Sequence, residues 1–237
     1  MTGASPFLST VRRQPLTPTM TSESAIQHAI AQIGIIAVVR SRVAIESMLE
    51  VGDALLATPL TVLTVSGGSS QPWQTIAELR GRFGANMHVG AGPLSSVAQV
   101  ATAVDAGTQF VLGACFTPQI DALCRRRGVL YLPGVATPAA AAHALRAGRS
   151  QQVFFPPGRD GVTGLQRLQR ICPAARLLPM GGVTVDNLRA YAHAGAAGVV
   201  VRGVIGAQAK WEMASLITQM RRVRAAWEAG LIGRRDD

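Results

Sequence analysis

Eight times along this chain a short run of Val, Ile and Leu gives way to a small-residue turn and then to a segment of helical period. The runs fall at 33–39, 61–65, 87–89, 110–112 and 129–132, around Val153, and at 176–178 and 198–201. Short aliphatic runs without polar alternation read as strands buried on both faces, the condition of a parallel sheet. Segments 44–57, 73–83, 97–106, 119–127, 139–147, 162–171 and 185–194 read as amphipathic helices between them, and a long final helix is predicted over 207–229. Gly107, Gly128, Gly148 and Gly195 stand where four of these helices should stop. No hairpin signal interrupts the alternation, and a repeat of eight is what closes a parallel sheet, so the expected fold is a (β/α)8 barrel. The competing doubly wound open sheet lacks its G-x-G-x-x-G after the first strand.

A chain of 237 residues suits one such barrel. We expect a single domain over 23–237, preceded by a disordered leader over 1–22, which is rich in Ser, Thr and Pro and shows no period; Met20 is an alternative start. Ser22 or Ser24 would cap a short helix running to about residue 32. The formal net charge of +10 comes almost wholly from arginine, Lys210 being the sole lysine. The arginines are scattered apart from short runs at 125–127, 221–224 and 234–235, with no aromatic interleaving, which argues against a nucleic-acid partner. Cys115, Cys124 and Cys172 are odd in number and lack C-x-x-C spacing, so buried free thiols in a reducing cytoplasm are expected. No apolar run is long enough to cross a bilayer, which sets a membrane partner aside.

In a barrel of this kind the reactive groups stand at strand C-termini, and phosphate is commonly held after strands seven and eight. Those loops begin here with Gly181, Gly182 and with Arg202, Gly203. Glycines let backbone N–H groups approach an anion, the helix opening near Thr184 adds its positive end, and Arg202 adds a charge. Arg40 closes the first strand, where it can clamp a carboxylate or pair within the rim. Thr64, Ser66 and Ser69 are hydroxyls near the mouth without an evident base. His28, His88, His143 and His193 fall on different elements and form no metal motif; Glu46, Glu50, Asp53, Glu78, Asp121 and Asp186 fall at helix positions and form no acid/base pair.

The strand ends in order are Ile35 to Arg40, Val89-Gly90-Ala91-Gly92, Pro133-Gly134-Val135-Ala136-Thr137-Pro138, Phe154-Phe155-Pro156 and Gly181-Gly182-Val183. This series resembles the 2-keto-3-deoxy-6-phosphogluconate / 4-hydroxy-2-oxoglutarate (KDPG/KHG) aldolase family, in register from about Ala25 to Gly206. The resemblance implies a trimeric barrel of the class I aldolase type that needs no cofactor or metal. Such enzymes cleave 2-keto-3-deoxy sugar acids to pyruvate and an aldehyde through an imine on a lysine. By the same resemblance the lysine belongs immediately before Phe-Phe-Pro, which here is Val153, and a strand-two glutamate belongs at Thr64. The strand-two Thr and Arg become Ser66 and Gly68, two further threonines become Pro93 and Met180, and the last-loop serine becomes Val204. Substrate contacts would then fall to Arg40, Ser66, Gly92, Phe155 and Pro156, and phosphate contacts to Gly181, Gly182, Arg202 and Gly203.

An imine needs a primary amine, which valine lacks; arginine stays protonated and does not replace it. The expected function is therefore a diverged barrel that binds a phosphorylated keto or sugar acid, or another small carboxylate, without Schiff-base aldolase chemistry. Two alternatives are an active carbon–carbon lyase using a metal or Arg40, and a noncatalytic protein acting through its basic surface.

Overall fold

The aliphatic runs pair in parallel and curl into a closed ring. The computed structural model describes residues 22–40, 44–58, 60–155, 161–202 and 212–233. Strands β1 (Ile35–Val39), β2 (Val62–Val65), β3 (His88–Leu94), β4 (Phe110–Gly113), β5 (Leu130–Leu132), β6 (Gly134–Val135), β7 (Gln151–Phe154), β8 (Arg176–Pro179) and β9 (Val199–Arg202) form two arcs. One has the order β5-β4-β3-β2-β1-β9 and the other β6-β7-β8. Both seams are closed. The chain passes from β5 to β6 across Pro133, while Met180 bridges Val200 and the Ala197 N–H donates to the Leu177 carbonyl at 2.9 Å.

Three strand boundaries differ from the sequence expectation, each for a local reason. The fifth run does not stop at Leu132: Pro133 has no N–H for the ladder, so the strand breaks there and resumes as β6, and β5 with β6 make one barrel strand. The first strand begins at Ile35, because Ile33 belongs to helix α1 (Ser22–Ile33) and Gly34, at φ +72°, turns the chain after it. Residues 90–93, expected as a turn, lie inside β3, where the register to β4 shifts between Ala91 and Leu94. Of the cysteines, Cys124 and Cys172 are buried as expected, but Cys115 is exposed.

Between the strands run α2 (Ile45–Leu56), α3 (Pro72–Phe83), α4 (Val97–Asp105), α5 (Pro118–Arg127), α6 (Pro138–Arg146), α7 (Gly161–Ile171) and α8 (Val185–His193). Helices α3, α5 and α6 open on a proline, whose missing N–H would have no intrahelical partner there in any case. The final helix, α9 (Met213–Gly233), begins later than the predicted 207 and packs on α8 and α2 through Leu216, Met220, Val223 and Trp227.

Parallel register places partnered residues on the same face, and side chains alternate along each strand. Following partners around the ring links Val153 to Leu178, Met180 to Val200, Ile36 and Val38 to Thr64, then Gly90, Phe110 and Leu130, and finally Gly134 back to Val153. The circuit closes on one parity, and the helix contacts of the other parity identify this row as the one that fills the barrel. The other parity faces the helices: Gln152 donates to the carbonyls of Ala141 and Arg149 at 3.1 and 2.8 Å. Within the interior Gly90 is required, because a methyl group there would overlap the Phe110 ring.

Outside the ring, α1 packs on β2 and β5 and is held by a buried ion cluster. Arg149, 6% exposed, donates to Asp121 at 2.5 Å and lies 3.3 Å from Glu23; Arg125 donates to the second Asp121 oxygen at 2.8 Å. Burial alone would raise the Asp121 pKa, but hydrogen bonds from Arg125 and Arg149 and their charges hold it below its ordinary 3.8.

Two outcomes follow. Gly90→Ala should cost about 1–3 kcal/mol by overpacking, and Phe110→Leu added to it should recover part of that loss in urea unfolding; equal, additive losses would show that the two positions do not share space. Asp121→Ala should cost about 3 kcal/mol by leaving Arg149 buried without its anion. Because the folded pKa of Asp121 is depressed, its contribution is complete above 3.8 and fades as pH falls through the folded value, so the wild type should lose stability on acidification more steeply than the variant.

Candidate functional site

The site follows from carrying the interior row past the ends of the strands. Val38 is succeeded by Arg40, Thr64 by Ser66, Val153 by Phe155 and Val200 by Arg202, so a row that is aliphatic inside the barrel becomes polar or aromatic at its C-terminal rim.

Arg40 follows β1, is exposed and extends over the second-strand loop. A Cβ on Gly68 would lie 3.5 Å from its Nη2. No carboxylate among the described residues pairs with it. Ser66 is buried behind it, its Oγ 3.4 Å from the Gly68 N–H and its own N–H donating to the Val39 carbonyl at 2.8 Å. Arg202 ends β9 opposite Val38 on the neighbouring strand, exposed and also without an acidic partner among the described residues. These two guanidiniums therefore rise from adjacent strands of the interior row.

Gly181 and Gly182 form the turn after β8 at φ +94° and +65°, a conformation that glycine adopts without strain. The turn is pinned by a residue that the sequence reading did not single out. Asn187 accepts from the Thr184 N–H at 2.8 Å through Oδ1 and donates to the Gly182 carbonyl at 2.8 Å through Nδ2. The sequence signal was present: Thr184 followed three residues later by an amide is a capping-box spacing. The amino end of α8 thus faces the same rim as Arg202, which suits an anion.

Gly92 sits within β3 rather than in a loop, and a side chain there would meet Leu112. Phe155, half-buried, anchors the end of β7 by donating its N–H to the Val135 carbonyl at 2.7 Å. Pro156, Gly203, Val204 and Lys210 lie outside the described residues. Val153 and Thr64 are both 0% exposed and belong to the interior row, four barrel strands apart and so across the ring from each other. Thr64 Oγ1 has no hydrogen-bond partner among the described residues.

Of the histidines, His88 begins β3 at the opposite end of the barrel, and burial together with the Arg80 charge lowers its pKa. His143 packs edge-on against Phe116 with ring centroids 4.7 Å apart. Among the described residues no three His, Cys, Asp or Glu side chains gather as a metal ion would require, and no helix is long and apolar enough to cross a membrane.

Comparison with known proteins agrees with this geometry. The sequence profile of the family "KDPG and KHG aldolase" matches residues 26–220. A 2-dehydro-3-deoxy-phosphogluconate aldolase of Treponema pallidum is 32% identical over 148 residues, 62% of this chain and 70% of that protein. A 2-dehydro-3-deoxy-6-phosphogalactonate aldolase of Escherichia coli is 29% identical over 172 residues, 70% and 82% of the two chains. Among solved structures, the 2-keto-3-deoxy-6-phosphogluconate aldolase of Zymomonas mobilis, crystallised with 3-phosphoglycerate, superposes with a TM-score of 0.76 at 22% identity, over 86% of this chain and 96% of that one. The shared ring of strands, the motifs at their ends and a profile match over most of the barrel lead to one assignment: the chain belongs to the KDPG and KHG aldolase family.

Proposed function

We propose that this barrel binds a small phosphorylated keto or sugar acid at its C-terminal rim and forms no imine with it. The observation that carries this reading is Val153: the residue before Phe154-Phe155 points into the barrel and is fully buried, yet its side chain has no nitrogen. The sole lysine of the chain is Lys210, far along the sequence from that strand. A general base is missing as well, since Thr64 stands where the family resemblance puts a glutamate. Arg40 and Ser66 would receive the carboxylate; the Gly181-Gly182 turn and Arg202 would receive the phosphate. By the same resemblance the chain would act as a cytoplasmic homotrimer and would need no cofactor.

The second reading, a lyase in which Arg40 stabilises an enolate, draws support from the guanidinium of Arg40, which has no acidic partner among the described residues.

Borohydride treatment of the protein with pyruvate or with 2-keto-3-deoxy-6-phosphogluconate should leave its intact mass unchanged; an adduct on Lys210 or any other residue would overturn the proposal. Release of pyruvate that disappears in Arg40→Ala would favour the lyase reading instead. Arg202→Ala should weaken the phosphorylated acid about tenfold while changing its unphosphorylated counterpart by no more than about twofold. Asn187→Ala, which frees the glycine turn, should lower stability by about 1–2 kcal/mol and weaken the phosphorylated ligand selectively, both measurable by thermal shift with and without ligand.

A further inference from the structure

The middle of the barrel contains one polar side-chain atom that nothing in the described structure satisfies. The interior row to which Thr64 belongs offers Val38 beside it and Val153, Leu178, Met180 and Val200 elsewhere in the ring, none of which donates or accepts strongly, and the Phe110 ring fills the space left by Gly90. Thr64 itself is 0% exposed, and its Oγ1 has no partner. A buried hydroxyl left in that state carries its desolvation cost without return. Two residues on, just past the end of β2, is Ser66, and at the rim stand Arg40, after the adjacent β1, and Arg202, at the end of β9 on the far side of β1. A ligand anchored by its anionic groups at the rim therefore has one uncharged polar contact to make below them.

Threonine differs from either a lysine or a glutamate at such a depth. Its hydroxyl donates one hydrogen bond and accepts others, so it serves a ligand carbonyl oxygen or a ligand hydroxyl equally well. Nothing among the interior aliphatic side chains attacks a carbonyl carbon or fixes a charge beside it. Resting on the reading that the rim binds a phosphorylated acid, we infer that Thr64 is the ligand-binding residue inside the barrel and that the site does not distinguish a 2-keto acid from the corresponding 2-hydroxy acid. Selection is made by the two anionic ends, and the ketone that an imine-forming enzyme must have is not needed.

The test uses the full chain and two probes, 2-keto-3-deoxy-6-phosphogluconate and the 2-hydroxy acid made from it by borohydride reduction, titrated by calorimetry. The two dissociation constants should agree within about threefold. Thr64→Val, nearly the same shape without the hydroxyl, should weaken both ligands by about five- to tenfold, in line with one lost hydrogen bond, and should raise the melting temperature of the ligand-free protein by about 2–4 °C because the orphaned group is gone. Thr64→Ser, which keeps the hydroxyl, should retain both affinities within about threefold. A keto acid bound more than about tenfold tighter than its reduced form would overturn this inference and leave the proposed function standing. Unchanged affinities in a folded Thr64→Val protein would overturn it too, by showing that neither ligand touches the hydroxyl. If neither acid binds, the proposed function falls and this inference falls with it.

Discussion

The interior of a closed ring of strands has to be filled by every second side chain of every strand, and that single packing demand organises the protein. Because each strand contributes only alternate residues, the residues that meet in the middle are set by register, and the interior row closes on itself around the ring, the register between β3 and β4 shifting only beyond Ala91. Space is then shared reciprocally: Gly90 has no side chain so that the Phe110 ring fits, and fully buried valines and leucines complete the layer. Aliphatic side chains suffice inside because both faces of each strand are covered, one by the ring interior and the other by helices.

The same alternation delivers the rim. Carried two residues beyond the last buried position, the interior row of β1 arrives at Arg40, that of β2 at Ser66, that of β7 at Phe155 and that of β9 at Arg202. No separate device is needed to aim these side chains at a common point; strand direction does it. The glycine turn after β8 is the exception, since its backbone must be held in place, and Asn187 does this with one donated and one accepted hydrogen bond. Such a scaffold holds its shape through packing, and Val153 and Thr64, both fully buried, are part of that packing. Belonging to the aldolase family thus fixes the barrel more firmly than it fixes the chemistry.

Away from the rim an ion cluster adds to the apolar packing of α1 through Ile26 and Ile30. Arg149 is almost wholly buried, and the carboxylates of Asp121 and Glu23 offset its charge there, while Arg125 holds the second oxygen of Asp121. This cluster ties α1 to α5 and to the start of β7, three segments distant in sequence. Cys124, buried beside it, is driven up to about 12, so the thiol is inert packing material rather than a nucleophile.

The sequence by itself determined the eightfold alternation, the helix stops and the residues that close the strands, because these depend on local preference: β-branched runs, proline at helix starts, glycine after helix ends. It also determined that the position before Phe154-Phe155 has no amine, since that is a matter of residue identity alone. Tertiary structure decided the rest. That β5 and β6 are one strand depends on their pairing on either side of Pro133, and that residues 90–93 continue β3 depends on its pairing with β4 across a register shift. The role of Asp121, which looks in sequence like any acid in a first helical turn, depends on an arginine 28 residues away. The isolation of the Thr64 hydroxyl could not be read from the chain either, because whether a buried polar group has a partner is a property of what surrounds it in space.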